Sequence, residues 1–265
     1  MKNLGIIQDL YAGPLFYKLK QNLDKFNLIS DSQFNIARML REDNLHAAFL
    51  SPISYAKDHP HYILIPEVAV SSEGNSNVIC LYFRQNLKEI KTIAADLQNS
   101  SEMVLAKLVL AEKYSFSPTF VLAENDLENM LKKADAALIV GDYNLQLLQY
   151  QNKLDLVDEW SDMMELPYVH GIWATRENNL TSDEVNLIIS SANYGAEHLT
   201  EISSIYSPKN SNEVIEFLSA FTYKLDENSK NGLIEFVRMA YYYNVIEDLP
   251  DFDFLHNNNI DPSKN

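Results

Sequence analysis

Short apolar runs alternate along this chain with longer segments in which apolar residues recur at helical spacing. Short runs bounded by polar residues are typical of buried strands, and their alternation with helices indicates an α/β fold. The predicted strands are Leu4–Ile7, Ala47–Leu50, Ile63–Val70, Val78–Phe83, Thr92–Ala95, Phe120–Ala123, Ala136–Val140 and Tyr168–Trp173.

Helical spacing fills most of the intervals between these runs. Pro14 is predicted near the start of a helix that runs to about Leu23, and Asp31 or Ser32 is predicted to cap the next helix. The remaining predicted helices are one from residues 99–101 through Val109, Leu127–Lys133, one through Leu145–Leu148, Ser182–Ser204, Asn212–Leu225 and Gly232–Val245. The C-terminal part is therefore expected to be all helical.

Two segments without strong periodicity, Phe83–Lys91 and Trp173–Asn179, flank the middle of the chain. If the chain leaves one lobe near the first segment and returns near the second, residues 85–175 form an inserted α/β lobe. Residues 1–84 and 176–265 then form the other lobe. Two crossover segments that act as a hinge are typical of proteins that close on a ligand, so we expect a ligand cleft between two lobes.

Composition and charge narrow the class of ligand. The chain has 265 residues with 46% hydrophobic residues, a formal net charge of −16 and a pI of about 4.7. Such a charge repels nucleic acid and anionic membrane surfaces, so we expect neither as a partner. A small carboxylate ligand remains possible where local hydrogen-bond donors outweigh the overall field. The sequence does not predict the oligomeric state.

No cofactor or metal is predicted. Only 7 residues are Gly, and no segment matches a dinucleotide fingerprint or a phosphate-binding loop. The six His residues show no metal-ligand spacing, and the single cysteine, Cys80, is expected to be a small core residue rather than a nucleophile. The N-terminus has neither a secretory signal nor a membrane-spanning run, which predicts a cytoplasmic protein.

Polar residues follow several predicted strands. Asp9 follows the first strand, Ser51 the Ala47–Leu50 strand, and Gly141 and Asp142 the Ala136–Val140 strand. The carboxyl ends of strands are where open α/β sheets bind ligands. Residues 99–102 begin a helix, whose free N–H groups and positive dipole end would favour a ligand carboxylate.

Each of these candidates also has a structural explanation. Asn99 or Ser100 can simply cap its helix, and Glu102 is favourable in a first helical turn without any catalytic role as a general base. Asp142 can orient the helix after it. His170 lies in an apolar strand, where a core histidine is the more common role.

Five segments, which begin at Gly5, Ala47, Ala137, Leu154 and Phe221, together resemble in this order the chorismate dehydratase family of the futalosine route to menaquinone. LDLVDEWSDMMELPYVHGIW, from Leu154 to Trp173, is similar to the family block DLG-x-x-W…TGLPFVFAVW, and ALIVGDYNL is similar to LLIGDEAL. GIIQDLYAGPLFYKL resembles the first strand, loop and helix, and AAFLSPISYA resembles the strand and loop that end in SSIEY. FTYKLDENSKNGLIEFVRMA resembles the C-terminal Y-x-L…GL-x-x-F segment.

This resemblance implies a two-lobed periplasmic-binding-protein-like type II fold with a hinge of two crossover segments. It also implies that chorismate loses water to give 3-[(1-carboxyvinyl)oxy]benzoate, without a metal or organic cofactor. Aromatisation drives that elimination, so the site chiefly holds two carboxylates and positions the departing groups.

The chain departs from the family at pocket positions. Tyr11 and Ala12 stand where the family has Asn-Thr, and Glu102 stands where it has the last Ser of S-x-T-S. Val78 and Ser54 also replace polar residues of the family, whereas scaffold positions such as Trp160 agree. The resemblance therefore predicts a conserved scaffold with a rewritten pocket.

Three hypotheses follow: a chorismate dehydratase with altered contacts, a non-catalytic ligand-binding relative, and an enzyme of the same fold that acts on another ligand. Tyr11 and Glu102 are the catalytic candidates. The ligand-binding candidates are Asp9, Ala12, Ser51, Asn75, Ser76, Asn99, Ser100, Ser101, Gly141, Asp142 and His170.

Overall fold

The structure is a computed structural model that describes residues 1–84, 86–96, 100–206 and 211–255. In that part of the chain the strands are β1 Lys2–Ile6, β2 Phe26–Ser30, β3 Ala47–Leu50, β4 Ile63–Ser72, β5 Ile79–Phe83, β6 Thr92–Ala95, β7 Thr119–Leu122, β8 Ala136–Val140, β9 Lys153–Asp155, β10 Tyr168–Thr175 and β11 Phe221–Thr222. The helices are α1 Gly13–Phe16, α2 Gln33–Arg41, α3 Pro52–Asp58, α4 Ser100–Glu112, α5 Leu127–Lys133, α6 Leu156–Met164, α7 Ser182–Glu197, α8 Leu199–Tyr206, α9 Ser211–Ser219 and α10 Glu227–Tyr242.

The chain forms two compact units. Unit 1 contains Met1–Ser71, Val169–Glu227 and Asp248–Asn265, and unit 2 contains Ser72–Tyr168 and Asn228–Glu247. Among the described residues, no helix is long and apolar enough to cross a bilayer.

Unit 1 is built on a six-stranded sheet of order β11-β4-β10-β3-β1-β2. β1 pairs in parallel with both β2 and β3, and β10 runs antiparallel to β3. β3 and β10 are buried along their whole lengths, because strands in the middle of a sheet covered on both faces need apolar residues on both sides. Polar residues at their ends are therefore held on a rigid support.

Unit 2 has a five-stranded sheet of order β7-β6-β8-β5-β9. β6 is parallel to β7 and β8, whereas β5 is antiparallel to β8 and β9. Cys80 on β5 is fully buried in a core cluster with Tyr82 and Ile139, which confirms the expectation that it is a core residue. Burial also raises the pKa of its thiol, so the reactive thiolate is disfavoured.

Most predicted strands are present, but several helices differ. The predicted Ser182–Ser204 helix is two helices, α7 and α8, divided at His198. The helix predicted over Asn212–Leu225 ends at Ser219 and is followed by β11. The segment directly after the Ala47–Leu50 strand forms α3, because Ser51 caps that helix and Pro52 fits its first turn.

The two units also differ from the predicted lobes of residues 1–84 plus 176–265 and residues 85–175. The chain passes to unit 2 after Ser71 and returns at Val169, and α10 belongs to unit 2 rather than to the terminal lobe. Phe236 of α10 packs edge-on against Trp160 at 5.6 Å and Tyr168 at 5.1 Å between ring centroids. Such contacts between distant segments leave no mark in local periodicity.

Candidate functional site

The predicted site residues fall on both units. Unit 1 carries Asp9, Tyr11, Ala12, Ser51 and His170. Unit 2 carries Asn75, Ser76, Ser100, Ser101, Glu102, Gly141 and Asp142. Asn99 and the side chain of Ser100 lie outside the described residues.

Unit 1 brings Tyr11 and His170 together with an aromatic residue that sequence reasoning did not select, Phe221 on β11. The Tyr11 ring lies 5.2 Å from the His170 ring and 5.6 Å from the Phe221 ring, with which it is stacked at 24°. His170 meets Phe221 edge-on at 5.5 Å. We call these three residues the aromatic set.

The first loop owes its position to a close helix contact. The Ala12 N–H donates to the Asp9 carbonyl at 3.1 Å in a 3₁₀ turn that leads directly into α1. Gly195 of α7 lies against the Pro14 backbone, where an added Cβ would be 2.0 Å from the carbonyl oxygen. Tyr11, which is 5% exposed, is thereby held on a well-supported segment.

His170 is a neutral imidazole in the folded protein. Its side chain is 3% exposed, and burial lowers the pKa of the ring from 6.5 to about 3. Its backbone carbonyl accepts a hydrogen bond from the Gln33 side-chain amide at 3.0 Å. The aromatic set therefore presents rings and a neutral heterocycle at physiological pH.

Ser51 has a local structural role. Its hydroxyl accepts from the Ser54 backbone N–H at 3.3 Å and donates to the Ser54 hydroxyl at 2.9 Å. It caps α3, and its predicted contact with a ligand is not tested by this geometry.

In unit 2 the start of α4 is buried. Ser101 and Glu102 occupy its first turn and are 2% and 7% exposed. The Ser101 hydroxyl makes no hydrogen bond of ordinary geometry within the described residues. The Ser101 hydroxyl nevertheless lies near the phenol of Tyr168 on β10. Burial, and after it the charge of Glu102, raises the pKa of that phenol, whereas the Ser101 hydroxyl lowers it. We call Ser101, Glu102 and Tyr168 the helix-start set.

The loop that carries Asn75 and Ser76 is tied to α6. Asn75 is exposed, whereas Ser76 is buried and donates weakly to Asp155 at 3.5 Å. The Asp155 carboxylate caps α6 by accepting from the Val157 N–H at 2.9 Å, and it also accepts from the Asn77 N–H at 2.6 Å. Burial raises the pKa of Asp155 to about 6, against the effect of these backbone hydrogen bonds.

Gly141 and Asp142 lie at a turn fixed by a residue that was not selected, Asn144. Gly141 has a φ of 82°, which glycine adopts without strain, and its N–H donates to the Val78 carbonyl at 2.9 Å. The fully buried Asn144 amide donates to the same carbonyl at 2.8 Å and accepts from the Tyr82 hydroxyl at 2.8 Å. The half-buried Asp142 is thus held on a rigid turn.

Two further observations concern metal ligands and a cavity. Among the described residues, no group of three or more His, Cys, Asp or Glu side chains is arranged to hold a metal ion. A cavity of ≈ 550 Å³ in unit 1 is lined by residues such as Tyr55, His61 and Arg176, and no predicted site residue lines it.

The sequence profile of the family described as menaquinone biosynthesis matches residues 2–242. The chain belongs to this family. The menaquinone biosynthesis family member is 22% identical over 255 residues to the chorismate dehydratase of Thermus thermophilus, covering 88% of this chain and 93% of the relative. The resemblance to the chorismate dehydratase family is therefore confirmed.

Solved structures confirm the fold of this menaquinone biosynthesis family member. A protein of Archaeoglobus fulgidus matches with a TM-score of 0.75 and 18% identity, over 92% of this chain and 98% of the other. The periplasmic aliphatic sulphonate binding protein of Escherichia coli matches with a TM-score of 0.65 and 12% identity, over 95% of both chains. The predicted periplasmic-binding-protein-like fold is thus correct.

Sequence reasoning missed Phe221, Tyr168 and Asp155 as parts of the local geometry. Asp155 had a usable signal, since an Asp directly before an apolar helical segment is a common cap. Phe221 and Tyr168 had none, because only the folded sheets bring them beside Tyr11 and Glu102.

Proposed function

We propose that this protein is a lyase that eliminates water from chorismate, or from a closely related hydroxylated cyclohexadiene carboxylate, in menaquinone biosynthesis. Family membership and the similarity to the Thermus thermophilus chorismate dehydratase support the reaction class. The observation that carries the proposal onto this chain is the aromatic set, where Tyr11, His170 and Phe221 gather at a predicted site.

The reaction breaks a ring C–O bond and a ring C–H bond, and the two electrons of the C–H bond complete an aromatic ring. The ring proton passes to a base, and the hydroxyl leaves as water with a proton from the Tyr11 phenol. Proton exchange with solvent then returns the base and the phenol to their starting states. Because aromatisation supplies much of the driving force, the protein mainly has to orient the ring and assist the two departing groups.

In this proposal the Tyr11 phenol donates a hydrogen bond to the departing hydroxyl. Stacking on Phe221 and contact with His170 restrict the rotation of the Tyr11 ring, so its hydroxyl has a defined direction. The neutral state of His170 keeps a positive charge away from the substrate ring.

Glu102 is the proposed base. A carboxylate in the buried first turn of α4 is held in place by the helix. The ring proton would move to one of its carboxylate oxygens.

The proposal is tested by replacing the Tyr11 hydroxyl alone. With chorismate as substrate, Tyr11→Phe is expected to lower kcat by about 10²-fold, the usual size of a lost proton-transfer or hydrogen-bonding group. Tyr17→Phe is the matched control, since the Tyr17 hydroxyl of the same unit donates to Glu201 at 2.6 Å on the surface. Equal kcat values for the wild type and Tyr11→Phe would contradict the assigned role.

A second candidate is a binding protein without turnover. The low exposure of Tyr11 and its stacking on Phe221 are also what a pocket-filling side chain would show. Thermal stabilisation by chorismate with no new product over hours would favour this second candidate over the lyase.

A further inference from the structure

The cavity of ≈ 550 Å³ in unit 1, here called the unit 1 cavity, has no described candidate residue in its lining. Three aromatic side chains, Tyr55, Tyr62 and Phe252, form part of its wall. Its volume lies within the range of about 300–1,000 Å³ that is usual for small-molecule sites. The unit 1 cavity can therefore hold a small organic ligand.

The aromatic wall of the unit 1 cavity is held by packing. The Tyr55 side chain is 1% exposed, and its ring lies 5.8 Å from the Phe252 ring at an interplanar angle of 32°. Tyr62 is also buried, and the guanidinium carbon of Arg176 lies 5.8 Å from the centre of its ring. One ring of the wall thus already contacts a cation of the protein, which the negative face of an aromatic ring favours.

The C-terminal segment brings two carboxylates to the unit 1 cavity. The Leu64 N–H donates to the Asp253 carbonyl at 2.8 Å, and the Leu255 N–H donates to the Leu64 carbonyl at 2.9 Å. This pairing holds the segment beside β4, and Asp251 and Asp253 both line the cavity. Burial, and after it the charges of Asp253 and Asp251, raises the pKa of the Tyr55 phenol, so the two carboxylates act on the buried wall.

The lining carries more negative than positive charge. Glu177, Asp251 and Asp253 supply three carboxylates, and within the described chain none of the three is in an ion pair. Their negative charges therefore remain available to a cationic ligand.

Arg176 is the cationic side chain of the lining, and its guanidinium is already engaged. It forms an ion pair with Asp43 at 3.1 Å and donates to the Leu40 and Arg41 carbonyls at 3.3 and 3.0 Å. These contacts balance the charge of Arg176 and use its donors. The unit 1 cavity consequently favours a cation over an anion.

We propose that the unit 1 cavity is a ligand site of its own, which binds a small organic ammonium ion against the aromatic wall and the two carboxylates of the C-terminal segment. This inference does not depend on the proposed lyase reaction. The ammonium group meets the rings through cation–π attraction and the carboxylates through charge, and neither contact needs an N–H donor on the ligand. The ligand class therefore includes quaternary ammonium ions.

Two probes of the same shape test the inference. Choline carries a trimethylammonium group, whereas 3,3-dimethylbutan-1-ol has a neutral carbon in place of the nitrogen. Isothermal titration calorimetry is expected to show saturable binding of choline to the wild-type protein, at least about 10-fold tighter than that of the neutral alcohol. Equal affinities, or binding of neither probe, would overturn the inference.

The Asp253→Asn variant removes one carboxylate charge from the lining and keeps the shape of the side chain. It is expected to bind choline about 5-fold more weakly than the wild type does, while its affinity for the neutral alcohol changes by less than about 2-fold. Asp248→Asn is the matched control, because Asp248 is an exposed carboxylate of the same segment outside the lining. An equal loss of choline affinity in both variants would indicate attraction to the net charge alone and would overturn the inference.

Inorganic phosphate is the probe for the opposite assignment, an anion site at Arg176. Phosphate is expected not to bind at concentrations that saturate the protein with choline. Phosphate that binds as tightly as choline, or more tightly, would overturn the inference in favour of an anion site. The wild-type comparisons need no variant, so they can contradict the inference even if Asp253→Asn does not fold. Because none of the three probes is chorismate, this inference and the proposed lyase reaction can fail independently.

Discussion

Each unit has a buried tyrosine beside its candidate residues, Tyr11 in unit 1 and Tyr168 in unit 2, and the surroundings of the two differ. Tyr11 in unit 1 lies against the rings of His170 and Phe221. Tyr168 in unit 2 lies near a carboxylate, Glu102, whose charge raises the pKa of the phenol in addition to the effect of burial. The buried aromatic set of unit 1 is therefore uncharged, whereas the helix-start set of unit 2 contains a negative charge.

The two tyrosines also share a feature of their support. The chain just after Tyr11 is contacted by Gly195, and the chain just before Tyr168 is contacted by Gly232, in both cases with the glycine against a proline carbonyl. Each unit thus uses a close approach between helix and backbone to hold its tyrosine. The difference between the units lies in the side chains placed around that common support.

The largest expected effect concerns His170 and pH. Because the pKa of His170 is about 3 in the folded chain and 6.5 in the unfolded chain, the unfolded chain binds the extra proton between these values. Stability contributed by the neutral ring is therefore present above pH 6.5 and is lost as the pH falls towards 3. Between pH 7 and pH 4, the wild type is expected to lose about 3.5 kcal/mol of unfolding free energy relative to His170→Phe.

Urea denaturation of both proteins at several pH values measures this difference. Parallel pH dependence of the wild type and His170→Phe would show that the ring is not held neutral, and the contrast between the uncharged aromatic set and the acidic helix-start set would then fail.

The next largest effect concerns the shared support. A Cβ on Gly195 would lie 2.0 Å from the Pro14 carbonyl oxygen, and a Cβ on Gly232 would lie 2.1 Å from that of Pro167. Gly195→Ala and Gly232→Ala are each expected to lower the unfolding free energy by about 3 kcal/mol, since neither backbone contact can yield without moving a helix.

Gly74→Ala provides the control for these two variants. Its Cβ would meet no atom nearer than 3.7 Å, so only the positive φ of 74° opposes the change, at about 1 kcal/mol. Thermal denaturation of the three variants measures the order. A Gly195→Ala or Gly232→Ala protein as stable as Gly74→Ala would contradict the close approach.

A smaller effect of opposite sign is expected for Asp155 in unit 2. Its pKa is raised from 3.8 to about 6, so the folded chain binds the extra proton between these values. The wild type is therefore expected to gain about 2.5 kcal/mol relative to Asp155→Asn as the pH falls from 7 to 4, and to lose this gain as the pH rises through 6. Denaturation at several pH values measures this difference in unfolding free energy. A difference between the wild type and Asp155→Asn that stays constant from pH 7 to pH 4 would contradict the raised pKa of Asp155.

The smallest expected effect concerns Phe221. Phe221→Leu keeps an apolar side chain but removes the ring stacked on Tyr11, and an aromatic pair contributes about 1 kcal/mol beyond its buried area. Affinity for 3-hydroxybenzoate is expected to fall by about 5-fold. Phe34→Leu, at an exposed position of α2, is the control, and an equal change in both variants would contradict a role for the aromatic set.

The fold was more predictable than the geometry of the candidate sites. Apolar runs such as Ala136–Val140 are local signals, and this strand occurs where the sequence predicts it. The helix cap predicted at Asp31 or Ser32 is at Ser32. The position of α10 in unit 2 depends on Phe236 meeting Trp160 and Tyr168, which are far from it along the chain. Local periodicity carries no information about such contacts.

The candidate residues also include some that the sequence identifies and some that only contacts between distant segments bring together. The sequence points to Tyr11 and Glu102 through a comparison of motifs, but their neighbours Phe221 and Tyr168 are set by strand order. Ser51 shows the reverse case, because a residue chosen for its place at a strand end is engaged in capping α3.

The proposed reaction of this protein is the removal of water from a cyclohexadiene carboxylate. Mass spectrometry and ultraviolet spectroscopy of chorismate incubated with the purified wild-type protein test it most directly. The account predicts a product lighter by one water molecule, with the absorbance of an aromatic ring, that forms in proportion to the amount of protein. Folded protein that leaves chorismate unchanged over hours, apart from its slow decay in buffer alone, would contradict the claim.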